Sequence, residues 1–70
     1  MLVNIEVERV RNQMTKEELA KEIGITLKTY YNWINGVTAI PSTKLQKMAK
    51  FFGVKMEYLL EESEVEKNAI

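Results

Sequence analysis

Leu27, Lys28, Tyr31 and Asn32 lie close together in the run GITLKTYYNWING, which spans Gly24 to Gly36. They offer an apolar side chain, an ammonium, a phenol and an amide, and no acid interrupts them. Asn can make paired hydrogen bonds to adenine, Lys can donate to guanine acceptors, and Leu or a Tyr ring can pack on a thymine methyl. The set therefore suits base edges in a DNA major groove, approached by the N-terminal turn of a helix. Thr15 with Lys16, and Thr26, fall at expected helix amino ends, where phosphate is attracted, and are placed to clamp the backbone on either side. A face meeting another protein could carry similar groups. A helix facing only water would more often carry Glu and Lys pairs.

Such a reading needs helices to hold those residues, and the spacing predicts them. No segment alternates with period two, so strands are not expected. Val3, Val7, Val10 and Met14 recur at helical spacing as the expected buried stripe of a first helix starting near Asn4, with Arg9 and Arg11 off it. Thr15-Lys16-Glu17-Glu18 reads as a capping box that opens a second helix, with Met14 and Leu19 as a hydrophobic staple. Leu19, Ala20 and Ile23 form its inner face, and Gly24 is placed to end it in a left-handed conformation. Thr26 caps a third helix that Gly36 closes. Its core face is expected to be Tyr30, Trp33, Ile34 and Val37, which leaves Leu27, Lys28, Tyr31, Asn32 and Asn35 on the other side. The connection from Gly24 to Thr26 is so short that the two helices must meet at a steep angle, a helix-turn-helix arrangement. Pro41 then stops the chain from continuing, Ser42 is the expected cap of a fourth helix with the stripe Leu45, Met48, Ala49 and Phe52, and Gly53 ends it. Val54, Met56, Leu59 and Leu60 suggest a short fifth helix. The segment from 61 to 70 reads as an acidic tail or helix extension.

Composition narrows the chemistry. The chain has 70 residues, 46% of them hydrophobic, which bounds it to one small domain. It contains no His, no Cys and no Asp. The usual neutral-pH proton shuttles and thiolate or imidazole metal ligands are therefore missing, and neither a catalytic site, a metal nor a cofactor is expected. No apolar run approaches the ~20 residues of a membrane span. The acids inside the apolar N-terminal stretch argue against a signal peptide, so a cytoplasmic location is the expectation. The net charge is zero but segregated: residues 23–56 hold five Lys and no acid, whereas residues 57–70 hold five Glu and one Lys. A chain of this kind attracts polyanions weakly at long range and can still present a basic face.

The ordered set TKEELAKEIGITLKTYYNWING, then IPSTKLQKMAKFFGV and MEYLL, resembles the phage repressor and Cro-like (XRE-type) helix-turn-helix proteins over roughly Val7 to Leu60. The resemblance implies an all-α, compact five-helix, lambda-repressor-like DNA-binding domain over residues 1–60, with the helix-turn-helix at about 15–36. It implies a regulator of transcription, with a repressor the first expectation, that binds double-stranded operator DNA as a homodimer on a palindromic site. By position, Lys16 matches a phosphate-contacting residue, often Gln in the family. Thr26, Leu27, Lys28, Tyr31 and Asn32 match the reading positions, and Asn35 matches a phosphate contact at the helix end.

Three departures from the family pattern stand out. Many members carry a Glu where this chain has Ile34, paired with an Arg of the first helix, so Arg9 or Arg11 is expected to be free to face solvent or phosphate. The loop before Pro41, often basic, is Val37-Thr38-Ala39-Ile40. The isoelectric point is only about 6.3. Each points to weak binding by a single copy and hence to dimerisation, with Phe51 and Tyr58 as candidates for the seam. A small-molecule sensor domain is not expected. The competing expectation is a protein-interaction module, such as an antitoxin-like partner, with the same fold and weak or no DNA binding.

Overall fold

The computed structural model describes residues 1–62 and contains five helices: α1 (Val3–Arg11), α2 (Lys16–Ile23), α3 (Leu27–Ile34), α4 (Ser42–Phe52) and α5 (Met56–Leu59). The expected tail from residue 63 onward lies outside the described residues. The protein is all-α, as expected. None of its helices is long and apolar enough to cross a membrane, among the described residues.

Each of the first four helices stops in the same way. The last turn is closed by a left-handed residue, and two backbone N–H groups turn back to orphan carbonyls. At the end of α2, Ile25 N–H donates to Ala20 O at 2.9 Å and Gly24 N–H to Lys21 O at 3.1 Å, with Gly24 at φ +84°. The same pair of bonds recurs at Gly36, where Val37 N–H reaches Asn32 O at 2.8 Å, and at Gly53, where Val54 N–H reaches Ala49 O at 3.0 Å. This is the Schellman closure, which satisfies carbonyls that the helix leaves open. Helix α1 uses it as well, with Met14 N–H on Arg9 O at 3.1 Å, but the left-handed residue there is Gln13 at φ +56°.

Helix starts are equally specific. The capping box of α2 is complete: Glu18 N–H donates to Thr15 Oγ1 at 3.0 Å, and Thr15 N–H to Glu18 Oε1 at 2.8 Å. Thr26 caps α3 by accepting from Thr29 N–H at 3.1 Å. For α4 the expectation needs correction. Pro41 occupies the cap position and Ser42 is the first helical residue, without a capping hydrogen bond from its side chain. Ser42 is already helical, so its hydroxyl does not stand at the half-helical position from which a side chain accepts from the first-turn N–H groups.

The core lies where the helices converge, around Ile5, Leu19, Ile23, Tyr30, Met48 and Leu59, all essentially solvent-free. Burying each such side chain stabilises the fold by about 1.5–3 kcal/mol. Helix α2 packs on α3 and α4, and α5 packs on α1 and α4. The α1 stripe expected from Val3, Val7 and Val10 is wrong. Val7 and Val10 are 39% and 61% exposed, whereas Leu2, Ile5 and Glu8 are buried. The inner face contains a carboxylate that an apolar-only reading assigns to water. Glu8 is tolerated there because the Tyr58 hydroxyl donates to it at 3.0 Å and Arg11 lies 3.4 Å away, so the buried charge is both paired and hydrogen-bonded. The expectation that Tyr58 could serve a dimer seam is correspondingly weakened, because its hydroxyl is used within the chain.

A smaller correction concerns the residue that follows Gly36. Val37 is 68% exposed rather than core, because Gly36 has already turned the chain off the helical stripe. Met56 and Leu60 are also exposed, since α5 is too short to turn more than Leu59 fully inward.

Lys44 completes the corner between α2 and α3. Its ammonium donates to Ile23 O at 3.1 Å, a cation on the carbonyl end of α2, and a Cβ built on Gly24 would stand 3.3 Å from that nitrogen. Gly24→Val should therefore destabilise the domain by at least about 1–2 kcal/mol, the cost of a left-handed L-residue. Gln13→Gly should act in the opposite sense, stabilising by roughly 0.5–1 kcal/mol once the extra chain entropy of glycine is subtracted. Thermal melts followed by circular dichroism check both, and equal midpoints for all three proteins would contradict the closure described above.

Candidate nucleic-acid interface

Helix α3 buries one face and shows the other. Tyr30, Trp33 and Ile34 are each no more than 4% exposed and anchor it in the core. Lys28, Tyr31, Asn32 and Asn35 follow one another at i, i+3, i+4 and i+7, so they share the opposite face. Lys28, Tyr31 and Asn35 are exposed and Asn32 is half-buried. Leu27 is also half-buried, at the border between this face and the core. Among the described residues no acidic side chain pairs with Lys28. The first turn of α3 contains no acid either, and the Thr26 hydroxyl donates to Thr29 Oγ1 at 3.0 Å without any carboxylate beside it.

The amino end of α2 is different. Its Thr15 amide is already committed to Glu18, and the carboxylate sits at the cap. Thr15 is exposed and retains its hydroxyl hydrogen as a donor. Lys16 is half-buried, and its ammonium lies 5.4 Å from the centre of the Tyr31 ring, a cation–π distance. The Tyr31 ring in turn stands edge-on to Tyr30, 6.4 Å between centroids. Lys16, Tyr31 and Asn35 also line a small cavity of about 130 Å³ together with Met1, Glu6, Tyr30 and Ile34. The structure thus brings Lys16 of α2 against the α3 residues, and it leaves Thr15 and Thr26 at separate helix ends.

Beneath this surface is a polar cluster that spacing alone did not reveal. Glu6 accepts a short hydrogen bond from the Tyr30 hydroxyl and two from Arg9, at 2.9 and 3.3 Å, and Lys16 Nζ lies 4.0 Å from it. Arg9 also donates to Met14 O at 2.6 Å. The expectation that Arg9 stands free is therefore corrected, since its side chain is only 15% exposed and is held by Glu6. Glu6 takes the role left open by Ile34. Arg11, paired with Glu8, keeps most of its guanidinium in water. Two signals for the cluster were present in the sequence. Glu6 and Arg9 have i, i+3 spacing, and a Tyr buried in a helical core needs a partner for its hydroxyl.

The charges follow from this geometry. Partial burial pushes the Glu6 carboxyl upward, but the hydrogen bonds from Arg9 and Tyr30 and the charges of Arg9 and Lys16 outweigh it and hold the group below its ordinary value. Burial and the Glu6 carboxylate push the Tyr30 phenol far up, so it remains a hydrogen donor. The hydrogen bonds that Arg9 donates to Glu6 likewise raise Arg9.

Comparison with known proteins agrees with this architecture. The family described as Helix-turn-helix matches residues 5–59. The chain is 34% identical over 56 residues to the cryptic phage CTXphi transcriptional repressor RstR of Vibrio cholerae, a stretch covering 80% of this chain and 50% of that protein. The chain thus spans about half the length of the curated relative it matches. No solved structure gives a significant match.

Because the native Glu6 pKa lies below its unfolded value, the stability that Glu6 contributes is complete above the unfolded pKa and is lost as pH falls through the native one. The melting temperature of the wild type should therefore drop more steeply than that of Glu6→Gln between about pH 5 and pH 2. Parallel acid limbs in the two proteins would remove Glu6 from the account.

Proposed function

The chain belongs to the helix-turn-helix family of DNA-binding transcription regulators, and from that premise we propose that it is a sequence-specific repressor. In this reading residues 1–60 form the DNA-binding unit, with the helix-turn-helix at about 15–36. Helix α3 enters the major groove, with Leu27, Lys28, Tyr31 and Asn32 facing bases and Thr15, Lys16, Thr26 and Asn35 facing phosphates. The observation that carries the reading is the acid-free outward face of α3, anchored from behind by Tyr30, Trp33 and Ile34. The position of Leu27 at the border of that face suits an apolar contact with a thymine methyl better than a central reading role. The repressor assignment draws on the likeness to RstR, a transcriptional repressor.

A homodimer on a palindromic operator belongs to the same proposal. A neutral chain whose loop from Val37 to Ile40 has no cation neutralises few phosphates per copy. Two or three contacts give a log–log salt slope of about −2 to −3 per protomer, and doubling them adds more affinity than any single base contact. The recognition helices of such a dimer lie about 34 Å apart, one turn of DNA.

Selection from a random duplex library with the purified chain should yield a palindromic consensus. Against that site, Lys28→Ala and Asn32→Ala should each weaken binding by about 1–3 kcal/mol and relax preference at particular base pairs. Unchanged affinity and unchanged preference in both variants would remove α3 as the reading helix. Failure of the wild type to retain any duplex at low salt would favour the protein-interaction module instead.

A further inference from the structure

We propose that Glu6 is a positioning residue of the DNA interface, which holds Lys16 and Tyr31 as one unit and sets how much of the Lys16 charge reaches phosphate. The inference rests on the reading of Lys16 and Tyr31 as DNA contacts given above, and it adds a residue of α1 that does not itself touch DNA.

The geometry is a relay across three helices. Lys16 Nζ sits between the Glu6 carboxylate, at 4.0 Å, and the Tyr31 ring, at 5.4 Å. Glu6 cannot swing toward the lysine at will, because Tyr30 and Arg9 both donate to it from the core side. Arg9 is fixed in turn by Met14 O, the carbonyl just before the cap of α2. The carboxylate is only 16% exposed, whereas the Lys16 side chain is 39% exposed and open to a ligand. An ammonium held in this way loses little rotamer freedom when a phosphate docks on it. The same carboxylate shields part of the charge and repels a phosphate that arrives out of register, which penalises unspecific contact more than the aligned one. Glu6 therefore exchanges general affinity for discrimination.

Glu6→Gln tests this with a side chain of the same length that can still accept from Tyr30. With the operator and a random duplex titrated over a salt series, the variant should bind the random duplex several-fold more tightly. Its salt slope should steepen by up to about 0.9 per protomer as Lys16 becomes fully available, and the ratio of operator to random affinity should fall. Thermal melts establish whether the variant is folded. An unchanged slope and ratio in a folded variant overturn the proposal, and so does an equal loss on both duplexes, the signature of a merely structural role. Lys16→Gln provides an independent arm that does not disturb the core. Because Glu6 already offsets part of that charge, its slope should flatten by clearly less than 0.9, and a full loss of about 0.9 overturns the proposal. The outcomes separate from those of the parent reading. A wild type that ignores duplex DNA sinks both, whereas a wild type that binds, with Glu6→Gln unchanged in slope and ratio and Lys16→Gln losing the full ~0.9, sinks this inference alone.

Discussion

The corner at Gly24 is the constraint on which the rest of the structure depends. Two backbone hydrogen bonds close α2 there, a left-handed residue reverses the chain, and Thr26 opens α3 two residues later. With so little chain between them, the rotation of α3 about its own axis is not adjustable. Tyr30, Trp33 and Ile34 turn inward, and Lys28, Tyr31, Asn32 and Asn35 turn outward. The ammonium of Lys44 on Ile23 O braces the corner from α4, so a distant helix also guards the angle.

Helix α1 supports that corner from behind with two carboxylates rather than with a simple apolar stripe. Glu8 satisfies Tyr58 and Arg11 toward α5, while Glu6 satisfies Tyr30, Arg9 and Lys16 toward α3 and α2. Buried or half-buried carboxylates are costly unless every partner is in place. Here Arg9 and Arg11 pair within α1, whereas the hydroxyls of Tyr30 and Tyr58 and the ammonium of Lys16 reach these carboxylates from α3, α5 and α2, so the contacts between helices specify how those helices sit against one another. The same arrangement connects fold to surface, since the group that steadies Tyr30 in the core also neighbours Lys16.

The electrostatics resolve an apparent conflict between a neutral chain and a polyanionic target. Charge is sorted by position: Glu6 and Glu8 of α1 are paired internally and Glu18 of α2 is spent on capping, whereas the first turn of α3 has no acid. In the proposed reading, a weak overall field gives little long-range steering, so discrimination would fall on short-range contacts made by the outward face of α3.

Local chemistry was legible in the sequence wherever it acts over a few residues. The capping box at Thr15, the cap at Thr26, the helix end at Gly24 and the inner stripes of α2 and α4 depend on neighbours three to five positions away, and each stands as read. So does the outward set on α3, because a 3.6-residue period and one buried face determine the other. What the sequence could not determine was which polar groups find partners across the fold. The stripe of Val3, Val7 and Val10 looked like core until Tyr58 and Arg11, brought near by α5 and by the helix itself, made Glu8 the better inward residue. Arg9 looked free until Tyr30, on a helix far along the chain, drew Glu6 beneath α3. The left-handed turn at Gln13 carries no glycine to announce it. Burial of a charge is decided by groups distant in sequence, and only the packed structure brings those groups together.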